Sequence, residues 1–265
     1  MRHRIGLLTA ICVFWSAQTV LAAVNQNTRL LQKAEWDGAV IVGNWLSGEF
    51  RYQRYDQDID ALVLGQTFAT AFPRLPLLEL GGRFWVINAD YDDTDDEFGI
   101  GDIDCWGKYQ FLSSGPLQVS GGMMLSLPLG SDKVLHPRAT GAINMELFTA
   151  ARYQVSREII AIGHFGIRKN GDMDIDLAGV DWELDGEIQL ELGGGVLVDL
   201  TPTLNVSAEL NFASEPYDSS DNDIELTGGA EYLLQQNMSL TAGLGLGLDD
   251  GAPEAELIVG YTLSF

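Results

Sequence analysis

The chain has 265 residues, a net charge of −23 and 46% hydrophobic residues. A charge of that sign excludes nucleic acid as a main partner, because phosphates need basic surfaces. Outside the N-terminus no run approaches the roughly 20 apolar residues of a spanning helix, and the 30 glycines, mostly spread through strand-like segments, argue against an ordinary soluble acidic domain.

Residues 1–22 read as a secretion signal. Arg2, His3 and Arg4 are basic, residues 5–15 form a short apolar core, and Val20, Leu21 and Ala22 precede a cut before Ala23. Cys12 lies in that core without lipobox spacing, so the mature chain keeps one cysteine, Cys105, expected as a small apolar side chain facing outward. Residues 23–44 do not alternate. Within them, 28–36 has helix-like character, with Leu30, Leu31 and Ala34 on one side. Three fates are open to this segment: plugging a lumen, capping a periplasmic mouth, or disorder.

From residue 45 onward the pattern has a period of two. Strands are predicted at 45–55, 59–72, 77–90, 99–112, 117–129, 140–154, 158–168, 186–200, 204–213, 223–234, 238–248 and 254–265. In the last of these, Ala255, Leu257, Val259, Tyr261, Leu263 and Phe265 share one face, and Glu254, Glu256, Gly260, Thr262 and Ser264 the other, with Ile258 the exception. Successive strand side chains point to opposite faces, whereas a helix would smear the two sets. A soluble sandwich would bury such apolar rows between sheets; a membrane barrel turns them to lipid. Three features select the all-β, up-and-down antiparallel transmembrane barrel of about twelve strands. The stretches run to roughly 9–12 residues, the length of a tilted membrane strand. The polar faces carry glycines and carboxylates that suit a wet interior. The connections alternate between short turns and long loops, as in barrels with short periplasmic and longer outer connections. Phe50, Tyr52, Tyr55, Phe72, Tyr109, Phe111, Tyr153, Phe212, Tyr232, Tyr261 and Phe265 lie near strand ends, where interfacial girdles form.

The stretch from Gly99 to Phe111, GIGDIDCWGKYQF, and the segment Leu125-Ser126-Leu127-Pro128-Leu129-Gly130 resemble consecutive strands of the outer-membrane proteins named for the MetA pathway of phenol degradation. That family's second strand ends in a Pro-Thr-Gly turn; here Leu129 replaces the threonine. The closing Gly260-Tyr261-Thr262-Leu263-Ser264-Phe265 is similar to the family's last strand and to the general terminal signal read by the barrel-assembly machinery, which would involve Tyr261, Leu263 and Phe265. The resemblance covers about residues 45–265 and implies a transporter passing small, hydrophobic molecules through the outer membrane. Outer-membrane lipid, lipopolysaccharide and the assembly machinery are the implied partners.

The polar faces supply a candidate lumen lining. On the first seven strands it holds Arg51, Glu79, Arg83, Asp102, Asp104, Lys108, Glu146, Arg152 and Arg168; on the last five it holds Glu187, Glu191, Glu209, Glu225, Glu231, Glu254 and Glu256. From residue 170 to the end there is no Lys or Arg, against twenty Asp and Glu. The expectation is a transverse field, a mixed wall facing an acidic one, with carboxylates favouring cations. The alternative is a filled lumen whose charges pair across it in a structural or adhesion barrel, since buried carboxylates must meet cations, water or metal. Asp90, Asp92, Asp93, Asp95, Asp96 and Glu97 form one acidic outer loop, Asp172, Asp174, Asp176 and Asp181 a second, and Asp218, Asp221 and Asp223 a third. The run 172–176 resembles a calcium loop but lacks its sixth-position glycine and twelfth-position glutamate, so a solvated acidic face bridged loosely to lipopolysaccharide by divalent ions is the expectation. A barrel phospholipase is the remaining rival. Its site needs a nucleophile beside a base, and neither His136 nor His164 belongs to a His-x-Ser pair. No zinc-ligand cluster or phosphate-binding loop is present, so no metal or cofactor is expected.

Overall fold

A computed structural model describes residues 28–55, 59–72, 74–91, 97–131, 134, 136–177, 180–218 and 220–265. The secretion signal and the acidic loop tip at 92–96 lie outside the described residues, as do the side chains of Asp176 and Asp181.

Fifteen strands form among them: β1 (Asn44–Tyr55), β2 (Ile59–Phe72), β3 (Leu75–Tyr91), β4 (Glu97–Ile100), β5 (Ile103–Ser114), β6 (Leu117–Leu127), β7 (Asn144–Gln154), β8 (Ile159–Lys169), β9 (Met173–Leu177), β10 (Val180–Leu184), β11 (Ile188–Thr201), β12 (Leu204–Ala213), β13 (Asp223–Gln235), β14 (Met238–Gly247) and β15 (Ala255–Ser264). Twelve of these close an antiparallel barrel, in chain order without β4, β9 and β10, and β15 pairs back onto β1. At the seam Phe50 stands opposite Val259. Asn44 N donates to Phe265 O at 2.8 Å and Phe265 N donates to Asn44 O at 3.0 Å. β4 pairs with β3 as the outer continuation of β5, beyond a break at Gly101 and Asp102. β9 and β10 make a hairpin where the sequence pattern gave only loop.

The two-residue period decides the faces. Leu240, Leu244, Leu246, Leu257 and Val259 are exposed on the outside, while the intervening Ser239, Gly243, Gly245 and Glu256 are buried inside. Ile258, the exception in the pattern, also points inward, 2% exposed. A closed sheet with an apolar exterior satisfies every ladder hydrogen bond internally and has lipid as its natural solvent, as in the bacterial outer membrane. Cys105 is a free thiol on the exposed face.

The expected wet interior is only half of what is found. Ala61, Val63, Trp85, Ile87, Ala89 and Tyr91 form an apolar cluster with Val134 and Ala139 of the loop between β6 and β7. Ile41, Trp45, Ala69, Trp106 and Met124 form a second, and Leu30, Ile160, Ile162 and Leu197 a third. β2 and β8 are apolar on both faces because their inner sides pack against chain that enters the barrel. Tyr55, assigned to an interfacial girdle, instead packs against the first cluster and meets His136 edge-on at 6.4 Å. The strand predicted from 140 begins at Asn144, because Thr140 and Gly141 give their N–H groups to Asp102 rather than to a ladder.

Candidate functional site: a lumen crossed by the N-terminal segment

Residues 28–43 run inside the barrel as an irregular strap, not as the helix suggested by 28–36. Near its start Thr28 O accepts from Arg152 Nη1 at 3.1 Å, toward the terminus end of the barrel. The chain climbs to Gln32 and Lys33, then descends past Trp36 and Asp37 to Ile41, whose N donates to Glu79 at 3.0 Å. Gly43 has φ +76°, and this left-handed turn, open to glycine, admits the strap into β1.

The wall explains why no helix forms. Backbone donors that a helix would use internally are taken by carboxylates: Leu31 N donates to Glu209 Oε1 at 2.7 Å, and Gln32 N to the same carboxylate at 3.3 Å. The Gln32 amide donates to Glu225 Oε1 at 2.6 Å and to Glu256 Oε2. The Lys33 ammonium pairs with Glu191. Burial alone would lower the lysine's pKa, but Glu191, Glu146 and Glu35 outweigh it and hold the ammonium charged above its usual range. The next residues present acceptors to the opposite wall. Glu35 O and Ala39 O accept from Lys108 Nζ at 3.0 and 3.1 Å. The Asp37 carboxylate meets Arg152 at 2.6 Å and Arg29 at 3.7 Å, while its carbonyl accepts from Ser120 Oγ at 2.7 Å. Burial opposes ionisation of Asp37, but Arg29, Arg152 and Lys108 prevail and keep its carboxyl below the ordinary range. The strap thus turns donors to the acidic wall of β11 to β15 and acceptors to the basic patch of β5 and β7.

Trp36 anchors the crossing. It is fully buried, stacked on Phe148 at 5.2 Å and 7°, with His164 edge-on at 5.0 Å. Its ring lies over Gly166, where a Cβ would collide with it. Leu31 rests likewise in the groove left by Gly229 and Gly243.

From the opposite end the loop between β6 and β7 folds into the mouth. The Asp102 carboxylate organises it, accepting from Gly130 N, Thr140 N, Thr140 Oγ1 and Gly141 N at 2.9, 2.8, 2.6 and 3.2 Å. His136, 3% exposed, accepts from Arg138 N at its Nδ1, so its Nε2 carries the proton facing Gln53 Oε1 at 2.9 Å. Burial, then Arg138 and Arg51, push this imidazole well below its ordinary value. Arg83 and Arg138 flank the Trp85 ring at 4.8 and 4.5 Å.

Strap and loop border two spaces among the described residues. An outer cavity of about 500 Å³ is lined by Lys33, His136, Arg138, Arg168, Tyr217, Asp223 and others. An inner one of about 90 Å³ lies beside Arg29, Leu31, Glu49 and Glu231. Glu35 and Arg83 border both, and their ion pair, at 3.4 Å, stands in the partition with Asp104 at 3.1 Å on the other side of the guanidinium.

No family model and no curated protein matches the chain. Among solved structures it is similar to an outer-membrane channel from Pseudomonas putida F1, with TM-score 0.71 and 12% identity, covering 89% of this chain and 100% of that one. The chain has the fold of an outer-membrane channel. It is also similar to the KdgM porin (TM-score 0.52, 13% identity, 83% and 99% covered) and to the Pseudomonas putida toluene transporter TodX (TM-score 0.50, 9% identity, 91% and 96% covered).

Within this channel fold the candidate lining residues fall into distinct settings. Arg51 bonds Glu256 at 3.1 Å and Glu49 at 2.8 Å, and Lys108 meets Glu79 at 3.1 Å, so these pair within the wall and also bond the strap. Arg83, Asp104, Arg152, Glu191, Glu209 and Glu225 face the strap or a cavity. Glu231 accepts from Ser239 Oγ. Glu146 is 1% exposed and neither of its carboxylate oxygens has a hydrogen-bond partner. Glu187 and Glu254 lie just outside β11 and β15 and are exposed. At the closing strand, Tyr261 and Phe265 are exposed and Leu263 half-buried. The sequence reading missed Gln32, Lys33, Glu35, Trp36 and Asp37. The signal was present as an imbalance, because an acidic wall without a cation of its own requires donors from elsewhere in the chain.

Proposed function

We propose that this protein is an outer-membrane channel for small solutes that favours cations, and that residues 28–43 close it in the conformation described here. What carries the reading is the acidic wall. Glu191, Glu209, Glu225 and Glu256 are satisfied by donors of the strap, so moving the strap leaves a row of carboxylates along a water-filled path. The likeness to porins and channels supports passage of small molecules, and the resemblance to the phenol-pathway family and to a toluene transporter supports solutes with an apolar part. Divalent bridging of the acidic outer loops to lipopolysaccharide belongs to the same proposal.

A second reading has its own observation: the strap pairs with both walls, which suits a permanently filled structural barrel. Reversal potentials across a planar bilayer in a KCl gradient separate the two. The channel reading expects a cation-selective current that increases when residues 28–41 are deleted. Anion preference, or no current from either protein, would overturn it.

A further inference from the structure

The strap carries a cation into the outer cavity, and the pocket that receives it has the chemistry of a receptor. We propose that Glu191 and Glu146 form an ammonium-binding site, occupied here by the protein's own Lys33, and that a small primary amine is the solute that replaces it. The inference rests on the channel reading and names its solute class.

Three observations meet at this place. The Lys33 ammonium pairs with Glu191 and lies 4.5 Å from the centroid of the Trp36 ring. A carboxylate beside an aromatic face is how proteins hold ammonium groups. The lysine side chain is a quarter exposed to the outer cavity, so the pocket can be approached from the mouth. The second carboxylate, Glu146, is almost fully buried with both oxygens lacking a hydrogen-bond partner.

Register brings the two acids together. Glu191 stands opposite Gly166 on β8, and Glu146 stands opposite Arg168 on the same strand. Arg168 is therefore the facing cation, yet no hydrogen bond joins it to Glu146, and its own Nε lacks a partner. A buried carboxylate without donors is costly, and a ligand bringing several N–H groups relieves that cost. Lys33 has three donors, but its tether holds it against Glu191. A free primary ammonium has the same charge and no tether, so it can bridge both acids. A quaternary ammonium offers charge without donors and leaves Glu146 unmet. The Trp36 ring beside the ammonium, backed by Phe148, suits a short alkyl or aryl amine better than a bare metal ion.

The test uses the full chain in detergent micelles, titrated calorimetrically with n-butylammonium chloride and with tetramethylammonium chloride. Lys33→Met vacates the pocket. Its affinity for butylammonium should exceed that of the unaltered protein by about tenfold or more, because a tethered competitor acts at an effective concentration on the order of millimolar. Tetramethylammonium should show no such gain, and adding Glu191→Gln to Lys33→Met should abolish it. Lys33→Gln provides a second vacated pocket, and heat-modifiable gel migration verifies the barrel in each variant. Butylammonium binding no tighter in either Lys33 variant, an equal gain for tetramethylammonium, or a gain that survives Glu191→Gln would overturn the site. Cation selectivity measured on the same preparations reports on the channel reading separately. A cation-selective channel whose vacated pocket ignores butylammonium loses this site alone. A vacated pocket that binds the amine in a protein without cation preference keeps the site and loses the channel reading.

Discussion

Trp36→Ala is the sharpest probe of the strap. The side chain is 0% exposed, stacks on Phe148, meets His164 edge-on and fills the space over Gly166. Truncating a buried tryptophan to alanine costs about 3–5 kcal/mol, combining lost apolar transfer with the cavity left behind. The barrel wall keeps its ladder bonds, so the loss falls on the equilibrium between docked and undocked strap rather than on the fold. A shift of about 3–5 kcal/mol changes that equilibrium by about two to almost four orders of magnitude. A strap docked by a few kcal/mol would become largely undocked. Single-channel recording of the full chain and the variant measures the effect directly: rare openings should become frequent, with the same cation preference. An unchanged open probability in a variant that still runs as a heat-modifiable barrel would refute the claim that the strap is the barrier.

Three other perturbations test separate contacts. Gly166→Val places a side chain where the Trp36 ring lies, and bilayer recordings should match those of Trp36→Ala although the strap sequence is intact. Asp102→Asn weakens four hydrogen bonds to the loop between β6 and β7; with charged-group bonds worth about 1.5–3 kcal/mol each and not additive, local opening should become easier by about 3 kcal/mol, read as hydrogen exchange at Thr140 and Gly141 faster by about two orders of magnitude. Asp37 is held below its ordinary range once its burial is outweighed by Arg29, Arg152 and Lys108, so its contribution to strap docking is complete above about pH 4 and lost as pH falls through the depressed value. Open probability followed from pH 7 to 3 should therefore show no Asp37-dependent step above about pH 4, and Asp37→Asn should raise it at pH 7.

How legible this was depended on which physics each residue obeys. The exterior was legible because lipid contact imposes a strict rule on every second residue, and 59–72 and 204–213 coincide with β2 and β12. The inward positions of Arg51, Glu79, Lys108 and Glu191 followed from the same alternation. The strap was not legible as structure, because its conformation is set by groups far away in the chain: Leu31 N reaches a carboxylate 178 residues later. Local helix propensity in 28–36 was overridden by acceptors that no local pattern displays. The same holds for Asp102, whose place in an alternating strand suggested a lumenal charge but whose carboxylate is spent on four donors from one loop. Ala61 and Val63, apolar on the supposedly wet face of β2, pack against chain inside the barrel.

The charge asymmetry between the two halves of the wall is what ties closure to selectivity. A plug held only by apolar contacts would leave the lumenal carboxylates desolvated and unmet, whereas a plug of uniform charge would be repelled by one wall. The middle of the strap matches both walls in one crossing: residues 31–33 donate to Glu209, Glu225, Glu256 and Glu191, and residues 35–39 accept from Lys108, Arg152 and Ser120. Each of these groups is exchangeable for water or for a solute of the same charge, at a cost far below that of exposing an equal apolar surface. The apolar contribution comes from Leu30 and Ile41, each buried in a cluster with the wall, and from Trp36 and Leu31, seated over its glycines. Docking strength is therefore set at these apolar side chains, with Trp36 the largest, while the identity of what competes with the strap is set at the carboxylates. It follows that substitutions at Trp36 should change how often the channel opens without changing which ion it prefers, and that Glu191→Gln should shift the preference with a smaller effect on opening.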